Sequence, residues 1–302
     1  MSFVNSMAIS ALTTVLTAAP LAAESFKTVF PGTYQQLTDE FRSGVDALDL
    51  QQGKIVLPGA TAELTLPDGY YFLNASDSRY VLEKAWGNPQ DSTLLGLILP
   101  RKISPFDAGS WAVTLQFDDI GYVSDADAGT HDYDEMLATM RADLTAENDW
   151  RLQNGFAKVE LVGWAATPHY DQAARKLYWA KTLHFEGDSF NTLNYNIRAF
   201  GRKGVLEANF IASADQLAEI EAAAPEVIAM IAFSEGNRYA DFVPGVDTVA
   251  AVGIGGLIAG KVLANTGFLL AALAVLTVGA ALILLRAAWL WNKFTGRGTG
   301  RG

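Results

Sequence analysis

Residues 267–285 form a run of nineteen residues without a charged side chain. As an α-helix such a run spans the ~30 Å hydrocarbon core of a bilayer. Trp289 and Trp291 follow it, suited to a membrane interface, and Arg286, Lys293, Arg297 and Arg301 then make a basic tail over 286–302. The positive-inside rule puts that tail in the cytoplasm and the bulk of the chain on the far side. Residues 1–23 carry no charge and hold an apolar stretch from Met7 to Ala19, then small residues, then Glu24. That is the shape of a signal peptide cut after Ala22 or Ala23; because no Lys or Arg precedes the stretch and Pro20 or Leu21 falls where a small residue is preferred, the alternative is an uncleaved anchor or a misassigned start. The expectation is a single-pass protein of a bacterial inner membrane, with residues 24–247 as a periplasmic domain.

Charge divides along the same lines. All 33 acidic residues lie within 24–247, whereas five of the 22 basic residues lie beyond Asp247; the domain therefore carries 17 basic against 33 acidic side chains, a net −16. Such a domain repels phosphate backbones, which argues against nucleic-acid binding. There is no cysteine, so disulfides, thiol chemistry and cysteine metal sites are excluded. Between domain and helix, residues 248–266 hold Gly253, Gly255, Gly256 and Gly260. Gly256 and Gly260 make a G-x-x-x-G face, and the segment is expected to be interfacial or re-entrant. A second membrane helix there would move the basic tail outside, against the charge rule.

The domain reads as α+β, an antiparallel sheet with helices packed on one side. A polar helix is expected over 24–50, strands at 54–57, 62–66, 70–74, 94–99 and 111–117, and a short helix at 77–85. A longer helix over 133–153 is opened by Asp132 and Glu135 as an acidic capping box, with Tyr133, Met136, Leu137, Met140 and Leu144 as its apolar stripe. Strands at 158–164, 176–185, 192–200 and 205–212 follow. Pairing across Gly201-Arg-Lys-Gly204 sets Arg198 opposite Glu207 and Asn196 opposite Asn209, leaving one apolar face and one polar face, the latter read as the wet side of the sheet. Ser213 with Gln216 opens a final helix, expected to be interrupted near Pro225.

Several side chains are candidates for chemistry. His169, in a presumed turn with Asp171, has the type of a general base, but no nucleophile is implied nearby. Asp125, Asp127 and Asp132 offer hard oxygen ligands for calcium, yet the EF-hand spacing fails at Gly129, Thr130 and Met136. Trp164, Tyr170, Tyr178 and Trp179 cluster on one hairpin, a composition that serves partner contacts at a surface and packing in a core. Asn196, Arg198 and Asn209 on the polar sheet face are further binding candidates. No nucleotide, haem or flavin motif is present, and no cofactor is expected. A non-enzymatic module that binds an envelope protein or other envelope component leads, ahead of a periplasmic hydrolase and a calcium-responsive domain.

Several strings, in order, carry a resemblance. They are Val162-Gly-Trp-Ala-Ala-Thr-Pro-His-Tyr-Asp171, Lys176-Leu-Tyr-Trp-Ala-Lys181, Leu193-Asn-Tyr-Asn-Ile-Arg198, Gly201-Arg-Lys-Gly-Val205, Arg238-Tyr-Ala-Asp-Phe242 and Ala251-Val-Gly-Ile-Gly-Gly-Leu-Ile-Ala-Gly-Lys261. Over residues 30–290 the chain resembles the bacterial family catalogued as domain of unknown function 2167. The resemblance implies a membrane anchor and an exported domain, and brings no catalytic residues. More loosely, residues 193–233 look like the end of Mog1 and PsbP-like sandwiches.

Overall fold

The computed structural model describes residues 23–260. The predicted membrane helix at 267–285, the basic tail, the signal peptide as far as residue 22 and the end of the glycine-rich segment lie outside these. Among the described residues no helix is long and apolar enough to cross a membrane.

The chain begins with β1 (Glu24–Ser25), α1 (Phe26–Val29), α2 (Pro31–Gln36), α3 (Asp39–Val45) and β2 (Asp49–Leu50). The single helix expected over 24–50 is thus three short ones. Pro31 bars the helical conformation from the residue before it, and Phe30 sits at φ −122°, ψ 59° while Pro31 starts the next helix at its favoured first position. Then come β3 (Gly53–Val56), β4 (Ala62–Leu66), β5 (Tyr70–Asn74) and α4 (Ala75–Arg79), which passes into a π turn (Tyr80–Ala85). Asn74 caps α4 by accepting from the amides of Ser76 and Asp77 at 2.8 and 3.1 Å. Next are β6 (Leu94–Pro100), β7 (Ala112–Asp118) and α5 (Tyr133–Gln153), the last capped as expected by Asp132. The run β8 (Val159–Asp171), β9 (Lys176–Phe185), β10 (Asn191–Phe200) and β11 (Val205–Ser213) leads to α6 (Leu217–Ala229), β12 (Ile231–Phe233) and α7 (Ile254–Ile258). Helix α6 runs through Pro225 rather than breaking there. Its buried stripe of Ile220, Ala224, Val227 and Ile228 packs on the sheet, and that burial outweighs the ~3 kcal/mol an internal proline costs.

Seven strands form one antiparallel sheet in the order β5-β6-β7-β11-β10-β9-β8. Arg198 pairs with Glu207 and Asn196 with Asn209, as the glycine turn required. The α+β class holds. The one-sided arrangement does not, because apolar clusters lie on both sheet faces. Helix α6 and the small sheet β12-β4-β3 cover one, with Leu193, Ile197, Leu206, Ala208 and Phe210 beneath them. The N-terminal helices, α4, the π turn and α5 cover the other, over Tyr71, Leu73, Leu97, Leu99 and Ile211. Helix α5 lies along the edge strand β8, where Arg141 and Asn148 donate to the carbonyls of Leu161 and Val159 at 2.9 Å each, so that edge is not left bare.

Candidate functional site

The second face of the sheet carries polar side chains where a buried surface is normally apolar. Thr114, Gln116 and Asp118 point to it from β7, Glu207 and Asn209 from β11, Asn194, Asn196 and Arg198 from β10, and Lys181 from β9. Asn196, Asn194, Arg198, Lys181, Glu207 and Asn209 are each no more than 6% exposed. The wet face expected from the sequence is therefore a polar layer inside the molecule. Arg198 and Glu207 form an ion pair at 2.6 Å, and the guanidinium lies 5.2 Å from the centre of the Trp179 ring. Several atoms of the layer make no hydrogen bond in the structure: Nδ2 of Asn194, Oδ1 of Asn196, Nε of Arg198, Nε1 of Trp179 and Oδ1 of Asn209. Buried polar atoms are as a rule satisfied by protein, water or ligand, and these are the atoms of the layer that the protein itself does not bond.

At Glu207 and Asn209 the layer meets a small open cleft with about 30 Å³ of enclosed space. Its floor is Thr114, Gln116, Glu207 and Asn209, and its wall is Arg79, Leu82, Glu83, Asn88, Pro89 and Asp91. The wall is set by α4 and the π turn, whose wider spacing places Arg79 and Glu83 over the sheet. Asp91 ties wall to floor, accepting from Gln116 Nε2 through one oxygen and from the Thr93 amide and hydroxyl at 2.8 and 2.7 Å through the other. At the end of β7, where Asp118 is half-buried, burial raises its carboxyl to about 6, with Arg198 opposing and Glu207 reinforcing the shift. Burial likewise lowers the Lys181 amine to about 8, partly offset by Glu207.

Beside the layer, on the same face of the sheet, the aromatic hairpin grips the glycine-rich segment. Ile254, Leu257 and Ile258 of α7 are buried with Val123, Leu177, Trp179 and Phe200, and Trp164, Tyr170 and Tyr239 pack around them. The loop acids hold this seat. Asp127 accepts from the amides of Ile254 and Gly255 at 3.0 and 3.2 Å and contacts His131 at 3.1 Å. Asp125 accepts from Tyr170 at 2.9 Å and Tyr239 at 3.3 Å, and pairs with Arg175. A Cβ on Gly255 would stand 2.4 Å from the His131 ring, and one on Gly253 2.5 Å from the Asp127 carboxylate.

The description protein of unknown function, DUF2167, belongs to a family model that matches residues 49–288, which is most of the chain. The chain belongs to this family. Most of the strings that carried the DUF2167 resemblance meet around α7, whereas Leu193 and Ile197 pack in the core under α6. Gly201 of the β10–β11 turn bridges to Arg238, and Arg202 in that turn holds Asp247 at 2.7 and 2.9 Å. Tyr122 stacks on Tyr239 and Phe242 with ring centres 4.5 and 3.9 Å away. No curated protein matches the chain. Among solved structures it is similar to the cyanobacterial PsbP of Synechocystis, at 9% identity and TM-score 0.35, over 60% of this chain and 91% of that one. It is also similar to the Ran-binding protein Mog1p of Saccharomyces cerevisiae, at 10% identity and TM-score 0.34, over 65% and 100%. Scores this low carry nothing about binding or assembly from either protein.

The remaining sequence candidates of this DUF2167 chain fall as follows. Trp179 is 1% exposed, Trp164, half-buried, donates its Nε1 to the Tyr133 carbonyl at 3.1 Å, and Tyr170 bonds Asp125; the three pack around α7. His169 lies in strand β8, not in a turn. It is exposed opposite Tyr178, while Asp171 accepts from the Ala174 amide in the turn that follows. No hydrogen bond joins the two among the described residues, so the base and orienter of a hydrolase are not assembled there. Asp132 caps α5, and Asp125 and Asp127 serve the α7 seat; among the described residues no three acidic or histidine side chains converge as for a metal. Sequence reading missed Arg79, Glu83, Asn88, Asp91 and His131. It could have found Thr114, Gln116 and Asp118, which alternate through an otherwise apolar strand and so announce a second polar row.

Proposed function

We propose that the chain is an exported, membrane-anchored binding module that takes a small polar component of the envelope into the cleft over β7 and β11. The observation that carries this is that the buried polar layer meets that cleft at Glu207 and Asn209, where Oδ1 of Asn209 accepts no hydrogen bond from the protein. The membrane part of the reading rests on the uncharged run at 267–285, the signal-like N-terminus and the basic tail. The domain spans 24–247, and α7 is docked on it.

Two measurements test it. Alkaline phosphatase, which is active only outside the cytoplasm, is fused after residue 247 and after residue 302. The first fusion is expected to be active and the second inactive; the reverse pattern overturns the topology. A thermal-shift screen of the full chain in detergent against sugars, amines, amino acids and polyols addresses binding. A ligand at about a hundred times its Kd adds ~2.7 kcal/mol to the folded state, a shift of several degrees at this size. At least one compound is expected to raise the wild-type midpoint and leave a folded Asn209→Leu variant unmoved. Equal shifts in both proteins, or none in either, contradict the cleft as the site.

A further inference from the structure

We infer that the cleft selects ligands carrying a protonated primary amine; this deepens the cleft-binding reading and rests on it. Carboxylates reach the cleft from three elements: Glu83 from the π turn, Asp91 from the loop after it, and Glu207 from β11. They are not equivalent. Glu207 is matched by Arg198 at 2.6 Å, and both oxygens of Asp91 already accept from Thr93 and Gln116. Glu83 receives only a long 3.4 Å contact from the Asp91 amide. Arg79 stands on the same wall with its Nε on the Asp91 carbonyl at 3.0 Å, and among the described residues no ion pair joins it to Glu83. On the floor Asn209, 6% exposed, presents an Oδ1 that accepts nothing in the structure.

The cleft thus offers acceptors on two sides: a carboxylate on the wall and an amide oxygen below it. An ammonium group is all donor, with three N–H bonds, no lone pair and a positive charge. It can donate to Asn209 and brings a positive charge to the wall that carries Glu83. A neutral hydroxyl serves Asn209 but leaves the charge on Glu83 unmatched, and a carboxylate or phosphate is repelled by it. The net negative charge of the domain adds an attractive field for cations in the same sense.

The test is calorimetric titration of the full chain in detergent micelles with three sugars that share a ring: glucosamine, N-acetylglucosamine and glucose. Glucosamine is expected to bind at least about tenfold more tightly than the other two, the scale of one charge-assisted hydrogen bond. Raising the pH until its amine is neutral is expected to abolish the advantage. Glu83→Gln, nearly isosteric on a half-exposed turn, is expected to fold normally and to lose the preference, and Asn209→Leu to lose binding. If the neutral sugars bind as well as glucosamine and Asn209→Leu still abolishes binding, the amine inference falls while the cleft reading stands. Binding that survives in Asn209→Leu places the sugars elsewhere and overturns the inference. If none of the three sugars binds, the inference also falls, and the broader thermal-shift screen alone decides the cleft.

Discussion

Arg198 and Glu207 show what a buried charge pair does at the scale of single residues. Each has lost most of its hydration, and the 2.6 Å contact compensates only while both are present. Arg198→Met is expected to destabilise the domain by about 3–5 kcal/mol, and the double change Arg198→Met with Glu207→Leu to recover much of that. Urea unfolding of the three proteins checks it; simple additivity would mean the pair is not energetically coupled. Asp118 supplies a pH signature. Its folded carboxyl titrates near 6, above its ordinary value of 3.8, so the folded state holds the proton where the unfolded state has released it. Stability contributed by this group is full below about 4, falls as pH rises to about 6 and is flat above. The difference in unfolding free energy between wild type and Asp118→Asn is expected to follow that curve, and a difference independent of pH between 4 and 7 would refute it. The identities and register of Arg198, Glu207, Asn196 and Asn209 were readable from a glycine turn and a two-residue period. Their burial was not, because a polar face normally faces water and the elements that cover this one lie far away in sequence.

At the scale of elements, the seat of α7 depends on glycines for lack of space, not for backbone freedom. Gly255→Ala is expected to drive the segment off the hairpin, seen as faster proteolysis after residue 242 and a red shift in tryptophan emission from Trp164 and Trp179. Adding His131→Ala removes the ring that the new methyl meets at 2.4 Å and is expected to restore part of the seat; no rescue would mean that crowding is not the cause. Asp127 connects this seat to the acidic loop. Since Asp125, Asp127 and Asp132 are already engaged, the melting midpoint of the protein in calcium is expected to equal that in chelator. A rise of several degrees in calcium would show these acids leaving their partners for a metal. Strands and α5 were legible because their periods and caps are local. The broken N-terminal helix turned on Pro31, which a reading of apolar spacing alone passes over. The unbroken α6 turned on burial, which sequence does not display.

For the whole molecule, one face of the sheet carries both the seat of the glycine-rich segment that leads toward the predicted membrane helix and the polar layer with its cleft. Antiparallel α+β architecture and membership of DUF2167 were both within reach of the sequence. The cleft was not, since it joins a π turn near residue 80 to strands near residues 115 and 207. The most direct measurement is native mass spectrometry of the full chain taken from its own membranes in mild detergent, beside folded Asn209→Leu. The account predicts a discrete non-protein mass on the wild type that is absent from the variant. A bare wild-type mass, or the same added mass on both proteins, would contradict it.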